Sequence, residues 1–275
     1  MVDDGGEKGI VHQNALKATD LPLMSPGIPD LDINIAVAQE IYEYAEGGTV
    51  AWLQVLAAHM VNAMAWGFPA TYGVYQLHYT QTMNLPSAQI SWIGSIQVFL
   101  TLGSCTISGR LADAGYTRQT VFCGSVMAVF GTFMTSLATE YWEILLAQGI
   151  CTGLGLGAMF MPGVSIIGSY FKKKRSLALS IAATGTGTGS VVFPATIQYL
   201  TPRIGFPWAV RCCAFVALVV CVVANLLLRP RLSPRRSGPL VEWGAFTEQP
   251  YVLFAAGGFF LFWALYFGFF YVSFV

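Results

Sequence analysis

From residue 50 onward, long apolar runs alternate with short polar breaks. Seven runs have the length of a membrane crossing: 50–75, 90–109, 119–138, 144–171, 176–200, 208–228 and 251–275. None holds Asp, Glu, Lys or Arg except the sixth, which holds Arg211. Such a run becomes a helix in lipid, because only a helix satisfies its own backbone groups there. The pattern predicts an all-α polytopic membrane protein. Residues 1–49 have no apolar run and are rich in Pro, Gly and Asp, so they are expected to form a disordered tail. No cleavable signal peptide is read, so the first span is expected to act as the insertion signal.

Composition agrees. The 275 residues are 55% hydrophobic and 10% charged, with a net charge of zero, against about 25% charged in a soluble domain. The zero hides an asymmetry, because nine of the acidic residues but only two lysines precede Val50. Alternate loops hold Arg110 and Arg118, then Lys172, Lys173, Lys174 and Arg175, then Arg229, Arg231, Arg235 and Arg236. The opposite loops hold only Arg203. Basic loops stay in the cytoplasm, so the N-terminus is expected there, with residues 229–250 a cytoplasmic linker. The cysteines, Cys105, Cys123, Cys151, Cys212, Cys213 and Cys221, all fall in predicted spans without metal-ligand spacing. Neither a disulfide framework nor a metal site is expected. No cofactor and no nucleic-acid partner is read. The expected partners are the lipid bilayer and a small-molecule substrate.

Two loops carry motifs. Residues 109–118 hold Gly109, Leu111, Asp113, Gly115 and Arg118 between the second and third runs. This resembles the loop 2–3 signature of the major facilitator superfamily, with Ala114 in place of an arginine and the second glycine displaced by one or two positions. After the fourth run, Tyr170 and Phe171 precede the basic cluster ending at Arg175, and Ala178, Ala183, Gly185 and Gly189 follow. That segment is similar to the helix 4–5 signature of the monocarboxylate transporter branch, with Ser180 where a glycine is common. Glu46, Gly47, Gly48 and Trp52 are similar to the same branch's helix 1 opening, with one extra residue before Trp52. Further likeness to its fungal members lies in Ser91–Ser95, Glu140–Trp142, Gly205–Arg211 and Leu228–Leu232.

The glycines have a physical reading as well. Gly149, Gly153 and Gly157 recur every fourth residue, as do Gly185 and Gly189, a spacing that lets helix backbones approach closely in lipid. A nucleotide-binding reading fails, since no strand precedes them.

His59, Asn62 and Trp66 lie at i, i+3 and i+7 and share one face of helix 1, with His59 and Asn62 near mid-bilayer. Mid-membrane polar groups face a bundle interior or a cavity, and the resemblance implies that helix 1 lines the central cavity. An interhelical hydrogen bond without a ligand remains an equal reading. Gln97 and Arg211 are further pathway candidates, and Arg211 could instead snorkel to the headgroups. Pro69, Pro162 and Pro194 are candidate kinks. A lysine that animal lactate carriers place soon after a Phe-Pro pair is absent, since Ala70 follows Phe68-Pro69.

The resemblance implies twelve helices in two six-helix halves around a midplane site. The seven helices here correspond to the N-terminal half plus a seventh helix. The chain is therefore expected to be truncated after helix 7, with a second half-bundle or a second copy as partner. The expected function is secondary active transport of a small organic molecule, first a monocarboxylate or related organic acid, with proton coupling open. The expected location is the plasma membrane, with the vacuolar membrane as the other choice. Efflux of a fungal secondary metabolite is the alternative. From other classes, a non-transporting remnant or interaction protein stands as a rival, whereas an enzyme lacks titratable clusters and a seven-helix receptor would put its N-terminus outside.

Overall fold

The structure, a computed structural model, describes residues 47–83, 85–231 and 243–271. The chain divides into two units, Met1–Glu43 and Tyr44–Val275. The first unit, the expected tail up to Glu46, and the linker arginines Arg235 and Arg236 lie outside the described residues.

The described part is all-α. Seven helices follow one another: α1 Thr49–Thr82, α2 Ser87–Leu111, α3 Thr117–Thr135, α4 Tyr141–Ser169, α5 Arg175–Ile204, α6 Phe206–Leu227 and α7 Gln249–Tyr271. By length and composition, four stretches are apolar enough to cross a membrane: Ser87–Thr135, Tyr141–Ser169, Arg175–Ile204 and Phe206–Leu227. The first of these is two crossings, because Gly115 turns the chain at φ 93°, a backbone region that costs other residues strain. α1 runs seven residues past its predicted end at Tyr75. Its extra turns carry Gln76, whose amide nitrogen donates to the Ser91 hydroxyl of α2, His78, which stacks on Phe206 of α6, and Tyr79, whose hydroxyl donates to Gln148 of α4. Pro69, Pro162 and Pro194 all sit inside continuous helices. Each removes one backbone donor without ending its helix, because surrounding helices supply the packing.

Helix ends are set locally. Glu143 accepts the backbone N–H groups of Thr139 and Glu140 at 2.9 and 3.2 Å, closing a capping box at the start of α4. Within α4, Leu145–Thr152 widens to a π-helical turn, and the Thr152 hydroxyl bonds the Ala147 carbonyl five residues back at 3.0 Å. Gly205 (φ 82°) with Pro207 makes the short turn into α6.

The first six helices form a bundle of two three-helix units. α1 packs on α5 and α6, and α4 packs on α2 and α3. The pairing survives exchange of α1, α2, α3 for α4, α5, α6, and α1–α4 and α3–α6 contacts join the units. Three helices thus repeat the packing of the three before them, an internal structural repeat.

Glycines set the close crossings. A Cβ on Gly185 would strike the His59 carbonyl, and one on Gly189 the Ala63 carbonyl. A Cβ on Gly153 would sit 2.8 Å from the Gln97 carbonyl oxygen, so the α4 glycine row seats α2. Gly155, outside that row, seats α3: its Cβ would lie 2.7 Å from the Gly124 carbonyl oxygen. The core between the helices holds Met64, Tyr72, Tyr75, Leu156, Met159, Phe171 and Phe193. Large apolar side chains also point outward on every helix, among them Trp92, Phe99, Phe122, Trp142, Val191 and Phe215. α7 touches α1 and exposes Leu253, Phe254, Phe259 and Phe260. An outside this apolar is a lipid surface.

Candidate functional site

The polar feature on the accessible side of the bundle lies where α1 crosses α5. Gly185 and Gly189 bring the two backbones together, which places the ring of His59 against the next turns of α5. His59 Nδ1 lies 3.3 Å from the Ile181 carbonyl and 3.4 Å from the Thr184 hydroxyl, and Nε2 lies 3.2 Å from the Thr188 hydroxyl. His59 is half-buried, while Thr184 and Thr188 are exposed. α5 is irregular here, since its two helical segments join at Thr184. The threonines were missed in the sequence. Their signal is the Thr-Gly alternation of residues 184–189, which puts Thr184 and Thr188 on one helix row beside the glycine row.

The other residues on the predicted α1 face turn elsewhere. Asn62 is buried under Gly185, and its amide donates to the Ala58 carbonyl at 2.8 Å. Trp66 meets Phe160 of α4 edge to face, with ring centroids 5.5 Å apart. The face therefore looks between α4 and α5, and His59 alone of the three bonds across to another helix through its side chain.

Gln97 lies inside the bundle beneath the α4 glycines, 1% exposed. Neither its amide nitrogen nor its oxygen has a hydrogen-bond partner among the described residues. Arg211 is apart from both. Its Nε donates to the Ser136 hydroxyl at the end of α3 at 3.3 Å, and its guanidinium lies 4.7 Å from the Trp208 ring centre. This arrangement anchors a cation on the outer side of α3 and α6.

The signature loops lie at the other end of the bundle. Asp113 is exposed beside the Gly115 turn. A Cβ on Gly109 would meet only Met161 at 3.4 Å. Arg118 stands at one end of a 690 Å³ apolar groove between α3 and α6, walled by Phe122, Val126, Phe130 and Leu218. Tyr170 and Phe171 are buried, with the Tyr170 hydroxyl on the Arg229 carbonyl at 2.7 Å and Trp52 edge-on to Phe171 at 5.5 Å. The Arg175 guanidinium covers Gly168. Tyr170, Phe171 and Arg175 thus pack helix ends together.

No group of residues that could hold a metal occurs among the described residues. The chain is 41% identical over 237 residues to an "MFS-type transporter" of Gibberella zeae, covering 86% of this chain and 54% of that protein. It is 37% identical over 227 residues to the "Aspyridones efflux protein apdF" of Emericella nidulans, covering 82% and 46%. The chain thus spans about half the length of these curated relatives. Among solved structures it is similar in fold to the peptide transporter POT in complex with sulfate, with TM-score 0.58, 20% identity, and 83% and 49% of the two chains covered. The family model described as Major Facilitator Superfamily matches residues 55–275, and this chain, with its six-helix bundle and seventh helix, belongs to that superfamily.

Proposed function

We propose that the six-helix bundle forms one wall of a secondary transport pathway for a small organic molecule, with the α1–α5 crossing as its contact point. The observation that carries the reading is the polar trio His59, Thr184 and Thr188, whose side chains meet across the α1–α5 crossing with both threonines exposed. A mid-membrane polar cluster of that kind marks a substrate or ion path. Membership in the superfamily supports transport rather than catalysis.

The first substrate reading is a monocarboxylate or related organic acid, in keeping with the loop resemblances. Outward movement is favoured by the relative named as an aspyridones efflux protein. Gly109, Asp113, Gly115 and Arg118 are assigned to the inward–outward equilibrium, and His59 to the substrate path. The N-terminus is placed in the cytoplasm and the protein in the plasma membrane. A second half-bundle, or a second copy, would complete the pathway.

Proteoliposomes test this. The chain, alone and joined to the second half of the Gibberella zeae relative, is assayed for uptake of a panel of monocarboxylates and hydrophobic acids. Saturable uptake by the joined protein that His59→Ala abolishes is expected. No uptake by the joined protein would overturn the reading.

A further inference from the structure

His59 has partners that fix where its protons sit. The Ile181 carbonyl at 3.3 Å can only accept. The Thr184 hydroxyl already donates to that same carbonyl at 2.7 Å, so it too can only accept from the ring. Nδ1 therefore carries the proton. In the neutral ring Nε2 is then bare, and the Thr188 hydroxyl at 3.2 Å must donate to it. Thr188 is exposed, which leaves its remaining lone pair open to a ligand. The neutral site thus offers an acceptor. When Nε2 gains a proton the polarity reverses. Nε2–H donates to Thr188 Oγ, and the Thr188 O–H is released. Its alternative acceptor is the Thr184 carbonyl at 3.4 Å, a long bond that an incoming anion can replace. The charged site offers a donor together with a positive charge.

Among the described residues, the ring's hydrogen-bond partners are all uncharged. α1 carries no Asp, Glu, Lys or Arg. On the helices packed against it, the charged side chains sit at or near helix ends: Arg175 and Arg203 of α5, Glu143 of α4, Arg110 of α2 and Arg211 of α6. Among the described residues none of them is a partner of the His59 ring.

We propose that His59 and Thr188 form a proton relay that reads a small organic acid, taking it either as undissociated acid beside a neutral imidazole or as anion beside an imidazolium. The step balances. The acid O–H bond breaks as its proton passes to Thr188 Oγ, and the Thr188 proton passes to Nε2. An acid and an imidazole become a carboxylate and an imidazolium, and the bound complex holds one transferable proton in both forms. Binding of the anion from alkaline solution therefore takes up one proton. This rests on the transport reading for its place in a cycle, but its test does not need transport.

The test uses the full chain in lipid nanodiscs, with benzoate as the acid probe and benzamide as its uncharged counterpart. Nitrogen-15 spectra of labelled histidine, with the other two histidines assigned by substitution, report the tautomer. Calorimetry in buffers of different ionisation enthalpy reports proton uptake. Expected are an Nδ1–H tautomer for His59, about one proton taken up per benzoate bound at alkaline pH, and none with benzamide. Thr188→Val should weaken benzoate binding roughly tenfold, as loss of one bond to a charged group does. Thr188→Ser should retain it, and His59→Gln should bind without proton uptake. An Nε2–H tautomer overturns the relay, as does benzoate binding without proton uptake. Equal affinity in Thr188→Val also overturns it. Complete failure of benzoate to bind overturns the assignment to organic acids. Should Thr188→Val not fold, the serine variant and the wild-type proton count still decide. The transport reading falls separately, on the uptake assay alone.

Discussion

Gln54 holds Arg229 by its backbone. The Gln54 amide oxygen accepts the Arg229 N–H at 2.9 Å, while its nitrogen donates to the Leu227 carbonyl at 2.8 Å. Gln54 is fully buried. α6 ends at Leu227, so this one side chain satisfies two backbone groups that helix termination leaves open. The Tyr170 hydroxyl bonds the Arg229 carbonyl beside it at 2.7 Å. The start of α1, the end of α4 and the end of α6 are tied at one point.

Gln54→Leu strands both backbone groups at once. The expected loss is about 2–4 kcal/mol, read as a fall of several degrees in the melting temperature in detergent. Tyr170→Phe removes one bond and should cost about 1 kcal/mol. A melting temperature for Gln54→Leu equal to wild type would refute the clamp.

The α1–α5 crossing gives a glycine pair and an internal control. Gly185→Ala and Gly189→Ala would drive a methyl group into the carbonyls of His59 and Ala63, so the helices must separate. A loss of about 3 kcal/mol or more is expected, with reduced yield of folded protein. Gly187 lies on the same helix with nothing within 4 Å of a Cβ. Gly187→Ala should be neutral or slightly stabilising, by up to about 1 kcal/mol. Similar melting temperatures for all three variants would show that the crossing does not depend on contact at glycine.

The legible part of this fold is the part that lipid dictates. Apolar length marks α2 to α6, because a backbone in hydrocarbon has no solution except a helix. The C-terminal end of α1 was not legible, since polar side chains there look like a loop. They are paired instead: the Tyr79 hydroxyl with Gln148 of α4 at 2.9 Å, and His78 stacked on Phe206 of α6 at 3.7 Å. Such pairs depend on residues far apart in sequence. The same holds at the candidate site. His59 stands out as the one histidine at mid-depth, but Thr184 and Thr188 become its partners only once two glycines bring the backbones together. Hydroxyls in an apolar run look like filler, and their role follows from the partner helix.

Arg211 should behave as an anchor. Its bonds run to Ser136 and across Trp208, at the α3–α6 side and apart from His59. Arg211→Ala is expected to cost about 1 kcal/mol of stability, with substrate affinity of the joined protein unchanged within about twofold. A tenfold or greater loss of affinity without loss of stability would return Arg211 to the pathway.

Orientation can be read chemically. Lys173 lies in the basic turn between α4 and α5, which the proposed orientation puts on the cytoplasmic side. Lys173→Cys in a cysteine-free background should resist membrane-impermeant maleimide in intact cells and react after permeabilisation. Labelling in intact cells would invert the topology.

The turn between α2 and α3 separates structural from conformational roles. Gly115 sits at φ 93° and makes the bend between two crossings. A side chain there costs about 1–2 kcal/mol, so Gly115→Ala should lower the melting temperature, and Gly115→Asn should do so less, since Asn tolerates this region better. Gly109 has ordinary contact room, with Met161 at 3.4 Å from a Cβ, and Gly109→Ala should be close to neutral. Asp113 stands two residues before the bend and is exposed. Its carboxylate lies at one end of the bundle, whereas His59 is about ten residues into α1 from Thr49. At about 1.5 Å per residue that depth is near 15 Å, too far for both to touch one small substrate. Asp113→Asn removes a charge with little change of shape. In the joined protein it should lower the transport rate strongly and move half-saturation by less than about twofold, the signature of a shifted equilibrium rather than a lost contact. Wild-type turnover with lost affinity would place Asp113 in substrate binding and break the division between the two ends of the bundle.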